Sequence, residues 1–306
     1  MNQLKQISRN ELTSQLAEIP ATVVIDVLPE AEFQAAHLAG ALNACVFDMT
    51  FLDDVKKLVP DLATPLVLYG SSARNLASQT AAEKLAAAGY RHLANYHGGL
   101  EDWREAGHAV EGDADAATLK SKPQDGTHQI DVEQSKVEWT GRNLTAAHSG
   151  TIKLREGSIE IESGRPVSGS FTLEMRDTEC TDLKDGKMRE MLEAHLKAED
   201  FFDVERFPEA VFLLSEITPL PEAPLGNPNF QISGDLTLKG VTRDLGFRAM
   251  LAPTPDGLLA ADAHFDIDRT HWNVIYGSGK FYEKLGMHLV NDEISIALKL
   301  VTLPPV

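Results

Sequence analysis

The spacing of apolar residues changes once along this chain, near residue 110, and that change calls for two folds rather than one. Before it, short apolar runs alternate with helical patterns: a strand-like run at 22–27, a helix-like 30–36, a run at 66–69, a helix over 76–88 and a run at 92–96. Such alternation predicts an α/β domain on a mainly parallel sheet. After it, residues 151–154, 158–162, 171–175, 235–239, 264–267 and 294–300 place apolar side chains at every second position. That period belongs to half-buried antiparallel strands, and so many of them with few helices predict a sandwich or a closed barrel. Gly157, Gly164, Gly169, Gly234 and Gly240 are expected at its turns and bends. Between the two patterns, residues 111–117 and 121–126 are small and polar, with Pro123, and read as a linker. The predicted boundaries are 1–112, a linker at 113–126, and 127–306. A length of 306 residues suits two domains of roughly 100–200 residues each.

Charge narrows the partners. A net charge of −18 repels nucleic-acid backbones and anionic surfaces, a local basic patch excepted. No apolar run approaches the roughly 20 residues of a spanning helix, so no transmembrane segment is expected. No apolar stretch follows Lys5 and Arg9, which leaves no visible secretory leader and makes the cytoplasm the expected compartment. Cys45 and Cys180 fall on opposite sides of the seam and read as free thiols, too few for a thiolate metal cage.

In the first domain, Val24-Ile25-Asp26-Val27 with Glu30-Ala31-Glu32-Phe33, His37-Leu38-Ala39-Gly40-Ala41-Leu42-Asn43, and Tyr96-His97-Gly98-Gly99-Leu100-Glu101-Asp102-Trp103 occur in order. Together they resemble the rhodanese family over about residues 5–110. The resemblance implies a persulfide-forming cysteine at the end of the strand 66–69, but this chain has Gly70 there, followed by Ser71, Ser72, Ala73, Arg74 and Asn75. Glycine holds no persulfide, and the serine hydroxyls have no histidine in the segment to act as base. Cys45, in Ala44-Cys45-Val46-Phe47, reads as a small buried residue. No catalytic residue is therefore assigned, and sulfur transfer is not expected. The loop could still offer N–H groups and Arg74 to an anion, though Arg74 reads more simply as a solvated charge. Asp26 and His37 read as loop and helix-cap hydrogen-bonding groups. The expected role is a docking or regulatory surface for a protein partner.

The second domain resembles the YceI-like family of lipocalin-like, polyisoprenoid-binding proteins. The resemblance is carried by residues 130–141 and 148–152, by Glu193-Ala194-His195-Leu196-Lys197-Ala198-Glu199-Asp200-Phe201-Phe202-Asp203-Val204 with Phe207-Pro208 and Phe212, by 234–242, by Asp268-Arg269-Thr270-His271-Trp272, and by Tyr276-Gly277 and Asn291-Asp292-Glu293. It implies an all-β, lipocalin-like antiparallel barrel with a short helical insertion, following the α/β rhodanese-like domain. The helix is expected over 187–197, its face Met188, Met191, Leu192 and Leu196 covering apolar surface. His195, Asp200 and Asp203 could ligate a metal or act as acid and base; the alternative preferred is a Phe201-Phe202 plug flanked by turn-capping carboxylates, with no metal. Asp268 and Arg269 read as an ion pair serving loop carbonyls.

Ile152, Leu154, Phe171, Leu173, Leu236, Leu238, Phe265, Ile267, Ile296 and Leu298 are expected on the inward face. Of these, Ile152, Leu154, Phe171, Leu173, Leu236, Leu238 and Phe265, together with Phe201, Phe202, Trp272, Tyr276 and Phe281, form the expected ligand-binding set. The residues require no cofactor; the family implies a bound polyisoprenoid or isoprenoid quinone. Burial yields about 0.8 kcal/mol per CH₂, or roughly 3–4 kcal/mol per isoprene unit, against about 8 kcal/mol for micromolar affinity. A few units suffice. The competing expectations are a sulfurtransferase using Cys45 or another nucleophile, and an interaction scaffold without a small ligand.

Overall fold

The computed structural model describes residues 5–113, 123–254 and 257–305, and the chain divides into two units, Met1–Leu119 and Lys120–Val306. The linker expected at 113–126 lies largely outside the described residues.

In chain order the first unit contains β1 (Lys5–Ile7), α1 (Arg9–Glu18), β2 (Val23–Asp26), α2 (Glu30–Ala35), β3 (His37–Leu38), β4 (Leu42–Asn43), α3 (Phe51–Leu58), β5 (Leu66–Tyr69), α4 (Ala77–Ala87), β6 (Leu93–Tyr96), α5 (Gly99–Glu105) and β7 (Val110–Glu111). The main sheet runs β1-β6-β5-β2-β4, every pairing parallel, while β3 and β7 form a separate antiparallel pair. A central parallel strand covered on both faces needs an unbroken apolar run. Leu66, Val67, Leu68 and Tyr69 supply it. Leu66 and Leu68 pack with Ile25, Phe51 and Leu85 on one side, and Val67 and Tyr69 with Leu12 and Tyr96 on the other. Ser8 caps α1 in a reciprocal box with Glu11.

The second unit contains β8 (Gly126–Gln129), β9 (Lys136–Arg142), β10 (Ala147–Glu162), β11 (Arg165–Cys180), α6 (Gly186–Lys197), β12 (Glu209–Pro219), β13 (Phe230–Leu238), β14 (Val241–Pro253), β15 (Leu259–Asp268), a short 3₁₀ turn (Arg269–Trp272) and β16 (Glu293–Val301). Strands β9 to β16 pair antiparallel in the order β11-β12-β13-β14-β15-β16-β9-β10, and the β10–β11 pairing closes the barrel. Strand β8 lies beside the lower half of β10, collinear with β9. The two expected runs at 151–154 and 158–162 are one long strand, β10.

One seam is short. Strands β14 and β15 pair only over 250–253 with 259–262, whereas β15 pairs with β16 from Ala260 to Asp268. Above the short seam, Phe247 and Phe265 stack across the gap with ring centroids 4.1 Å apart.

Two expectations need correction. Gly164 and Gly240 do sit at hairpin turns with positive φ, but Gly157, Gly169 and Gly234 lie inside strands. They are small because neighbours approach closely: a Cβ on Gly234 would run into the Leu213 carbonyl and the Phe212 ring. On α6, only Leu192 and Leu196 of the expected face turn inward, with His195 between them. Met188 and Met191 are exposed, since the helix presents its 192–195–196 edge to the barrel.

Candidate functional site

A cavity of about 580 Å³ occupies the barrel. Its wall follows from the period-two pattern: Ile152 and Leu154 on β10, Phe171 and Leu173 on β11, and Leu236 and Leu238 on β13 all reach it. So do Phe265 and Ile267 on β15 and Ile296 and Leu298 on β16. Every side chain expected on the inward face therefore lines the hole. Strands β12 and β14 complete the wall with Phe212, Leu214, Leu245, Phe247 and Leu251. These were not among the expected binding residues, although 245–251 alternates as regularly as the segments that were.

Antiparallel alternation puts the β9–β10 hairpin, the α6 connection and the β15–β16 connection at one end. Most of the polar lining collects there: Arg142, Asn143, His148, His195, Arg269, Tyr276 and His288. Arg142, Ala146 and His288 are also exposed, so the cavity meets solvent at this α6 end. Toward the opposite end the lining includes Ile130, Ile159, Leu251, Leu259 and Thr302, all buried, and the exposed Asp262 at the β14–β15 seam.

Phe201 and Phe202 line the mouth in a T-shaped pair 4.9 Å apart, and Tyr276 meets His195 edge-on at 4.4 Å. Trp272 and Phe281 are placed elsewhere. Trp272 is buried behind the wall, its indole N–H donating to the Leu236 carbonyl at 2.9 Å, and Phe281 is 54% exposed on the outer rim. His195 lies 3.4 Å from Asp200, while buried Asp203 pairs with Arg206 at 3.2 Å. Among the described residues, no group of three or more His, Cys, Asp and Glu side chains could hold a metal.

Arg269 holds the mouth connection together. It is fully buried and donates to three carbonyls: Asn291 at 3.1 Å, Val274 at 2.6 Å and Val290 at 3.2 Å. Its carboxylate neighbour is Asp292, 3.9 Å away. Asp268 instead caps the 3₁₀ turn through Thr270 and takes an ion pair from Lys280 at 2.6 Å. Desolvation pushes the Asp268 carboxyl up, but the Lys280 ammonium and the Thr270 hydrogen bonds outweigh it and hold the group at about 2. Beside the mouth, Asp182 accepts from the Ser149 amide and the Cys180 thiol and lies 3.0 Å from His148. Burial pushes the Cys180 thiol up, which disfavours the nucleophilic thiolate.

The loop after β5 in the first unit is closed on itself. The Asn75 carboxamide donates to Ser71 Oγ at 2.8 Å and accepts from the Ala77 amide at 2.8 Å. The amides of Leu100 and Glu101, in the first turn of α5, donate to the carbonyls of Gly70 and Ser71, both at 2.9 Å. Gly99 permits this approach, with φ of +65° and only 2.5 Å between a would-be Cβ and the Gly70 carbonyl. A Cβ on Gly70 would stand 3.6 Å from Asn75 Cγ. Arg74 is exposed, Ser72 and Asn75 are half-buried, and Ala73 and Ser71 face solvent. Cys45 is buried. Asp26 accepts from the Leu28 amide, and His37 lies 2.7 Å from the Phe33 carbonyl at the end of α2.

Comparison with known proteins finds a family for each of the two units. The YceI-like domain family matches residues 128–302 and the rhodanese-like domain family residues 8–106. A UPF0312 protein of Pseudomonas putida strain W619 is 26% identical over 125 residues, 40% of this chain and 60% of the relative. A UPF0312 protein of Photorhabdus laumondii is 28% identical over 104 residues, 33% of this chain and 47% of the relative. The chain thus spans less than two thirds of these curated relatives. Among solved structures, BcnA of Burkholderia cenocepacia is 23% identical, covers 57% of this chain and 99% of its own, and gives a TM-score of 0.45. A polyisoprenoid binding domain from Saccharophagus degradans is 10% identical, covers 60% and 100%, and gives 0.43. Among the described residues no helix is long and apolar enough to cross a membrane.

Proposed function

This chain belongs to the YceI-like family, with a rhodanese-like domain fused ahead of the barrel, and from that premise we propose that the barrel binds an isoprenoid lipid or isoprenoid quinone. The observation that supports this reading is the open, mainly apolar cavity of about 580 Å³ with most of its polar side chains gathered at one end. If each chain carbon fills about one water's share of liquid volume, roughly 30 Å³, the hole takes about 20 carbons, or four isoprene units. The apolar end receives the tail, and the α6 mouth, with Tyr276, Asn143 and the histidines, faces the polar head. The ligand-binding residues are then the wall of Ile152, Leu154, Phe171, Leu173, Leu236, Leu238 and Phe265, with Phe201, Phe202 and Tyr276 at the mouth. Residues 127–306 carry this activity, and residues 1–112 act as a non-catalytic docking or regulatory module for a protein partner. The support for the second part is Gly70 at the end of β5 and the Asn75 side chain folded across its loop.

The test is native mass spectrometry of the full chain after gentle, detergent-free isolation, followed by organic extraction. One extractable isoprenoid per barrel is expected. Bare protein, with no uptake of prenyl alcohols added afterwards, overturns the reading.

A further inference from the structure

On β15, Ala261, Ala263, Phe265 and Ile267 face inward and line the cavity, as alternation requires. Asp262 stands between them on the outer face, is exposed, and lines the same cavity. A residue of the outer face borders the interior only where the wall beside it is open. Asp262 is also where the β14–β15 pairing stops, opposite Met250.

Beyond that point each strand is held from one side. Residues 241–249 of β14 pair with β13, and residues 263–268 of β15 pair with β16, without a ladder between the two. The resulting gap is bounded below by the pairing of 250–253 with 259–262. Toward the α6 mouth it is bounded by the 3₁₀ turn, whose Trp272 reaches across to the Leu236 carbonyl of β13. What fills it is side chain: Phe247 stacks on Phe265 at 4.1 Å and leans on Phe212 at 5.8 Å. Ala249, Ala261 and Ala263 beside it are short, and the exposed Gly246 has no side chain at all.

Parting these two rings forfeits an aromatic contact, whereas parting β13 from β14 or β15 from β16 breaks a run of ladder hydrogen bonds. The α6 mouth, by contrast, is ringed with polar side chains, Arg142, Asn143, His148 and His195 among them. An apolar tail entering end-on would have to desolvate them.

We propose that the gap between β14 and β15 is a second, lateral entrance to the cavity, gated by the Phe247–Phe265 stack, through which an apolar chain passes sideways. The identity of that chain rests on the isoprenoid reading of the cavity; the entrance itself does not.

Stapling the gap from outside tests it. Continuing the Met250–Asp262 register places Arg248 opposite His264, both exposed and neither lining the cavity. Arg248→Cys/His264→Cys, joined by a short bis-maleimide, locks β14 to β15. His264→Cys/Ala297→Cys, across the continuously paired β15–β16 seam, is the control. Cys45 and Cys180 are buried, which directs the linker to the introduced pair. In full chains with an unchanged melting transition, entry is followed with Nile red, an apolar dye without isoprene units, and with a twenty-carbon prenyl alcohol that displaces it. The β14–β15 staple is expected to slow dye entry about tenfold or more while leaving the amount bound at equilibrium unchanged. The control staple is expected to leave both unchanged. Equal entry rates in the two stapled proteins, with the alcohol still bound, overturn the lateral entrance and leave the isoprenoid reading standing. Slowed dye entry with no displacement by the alcohol supports the entrance and overturns the isoprenoid reading. An unstapled protein that takes up neither dye nor alcohol overturns both.

Discussion

The two units treat their interiors in opposite ways. At the end of β5 the first unit fills its own loop: Asn75 folds across it, and the first turn of α5 spends its amides on the loop carbonyls. The barrel leaves about 580 Å³ open, although most side chains around that space are apolar and could have packed. Short-range hydrogen bonds set the shape of the first. The space in the second follows from the hoop of strands, whose radius is fixed by strand number and stagger, not by the volume of the side chains inside.

The strongest test of this contrast closes the open interior. Ala210 and Ala249 are buried wall residues at different depths. Ala210→Trp/Ala249→Trp is expected to weaken prenyl-alcohol binding about 100-fold, the loss of roughly three to four buried methylenes. The melting transition should hold, because the rings enter vacant space; a collapse of stability would show that the space is already needed by its neighbours.

Acid separates the units more gently. Asp268, held at about 2, stabilises the barrel above roughly pH 4, and that contribution is lost as the pH falls toward 2. Burial pushes the Asp26 carboxyl of the first unit up, so its contribution is greatest below roughly pH 4 and is lost as the pH rises through its raised value. Asp268→Asn is expected to weaken the barrel by about 1–2 kcal/mol at pH 7, discounted for partial exposure, and to flatten its acid response. Asp26→Asn should strengthen the first unit at pH 7. Hydrogen exchange read peptide by peptide at pH 7 and pH 3 distinguishes the two. A shift of the same sign in both units would contradict the assignment.

The smallest effect is expected from reopening the closed loop. A Cβ on Gly70 meets Asn75 only at ordinary contact distance, and no unusual φ stands in the way. Gly70→Cys should therefore change stability by less than about 1 kcal/mol. Thiosulfate-to-cyanide transfer is expected only when Asn75→Gly accompanies it and clears the loop. Transfer by the single variant would show that the loop is not closed in solution.

Much of this was legible in the chain. The unbroken apolar run 66–69 announces a strand covered on both faces, and the alternation at 151–154, 171–175 and 294–300 gives the inward residues by parity alone. Parity fails where the environment is asymmetric. Met188 and Met191 share helical spacing with Leu192 and Leu196, yet only tertiary placement decides which edge of α6 touches the barrel. Gly157, Gly169 and Gly234 read as turns because glycine usually marks them; here it marks crowding inside strands. Trp272 reads as a cavity residue by its chemistry and is instead pinned behind the wall by its indole hydrogen bond.

The brief β14–β15 pairing carries a mechanical consequence. A cask parts first where its staves are least joined, and here the joint ends at Met250 and Asp262, leaving two stacked phenylalanines as the clasp above it. A guest wider than the bore would strain that joint before any other, and girth as well as length would then govern which cargo the vessel accepts.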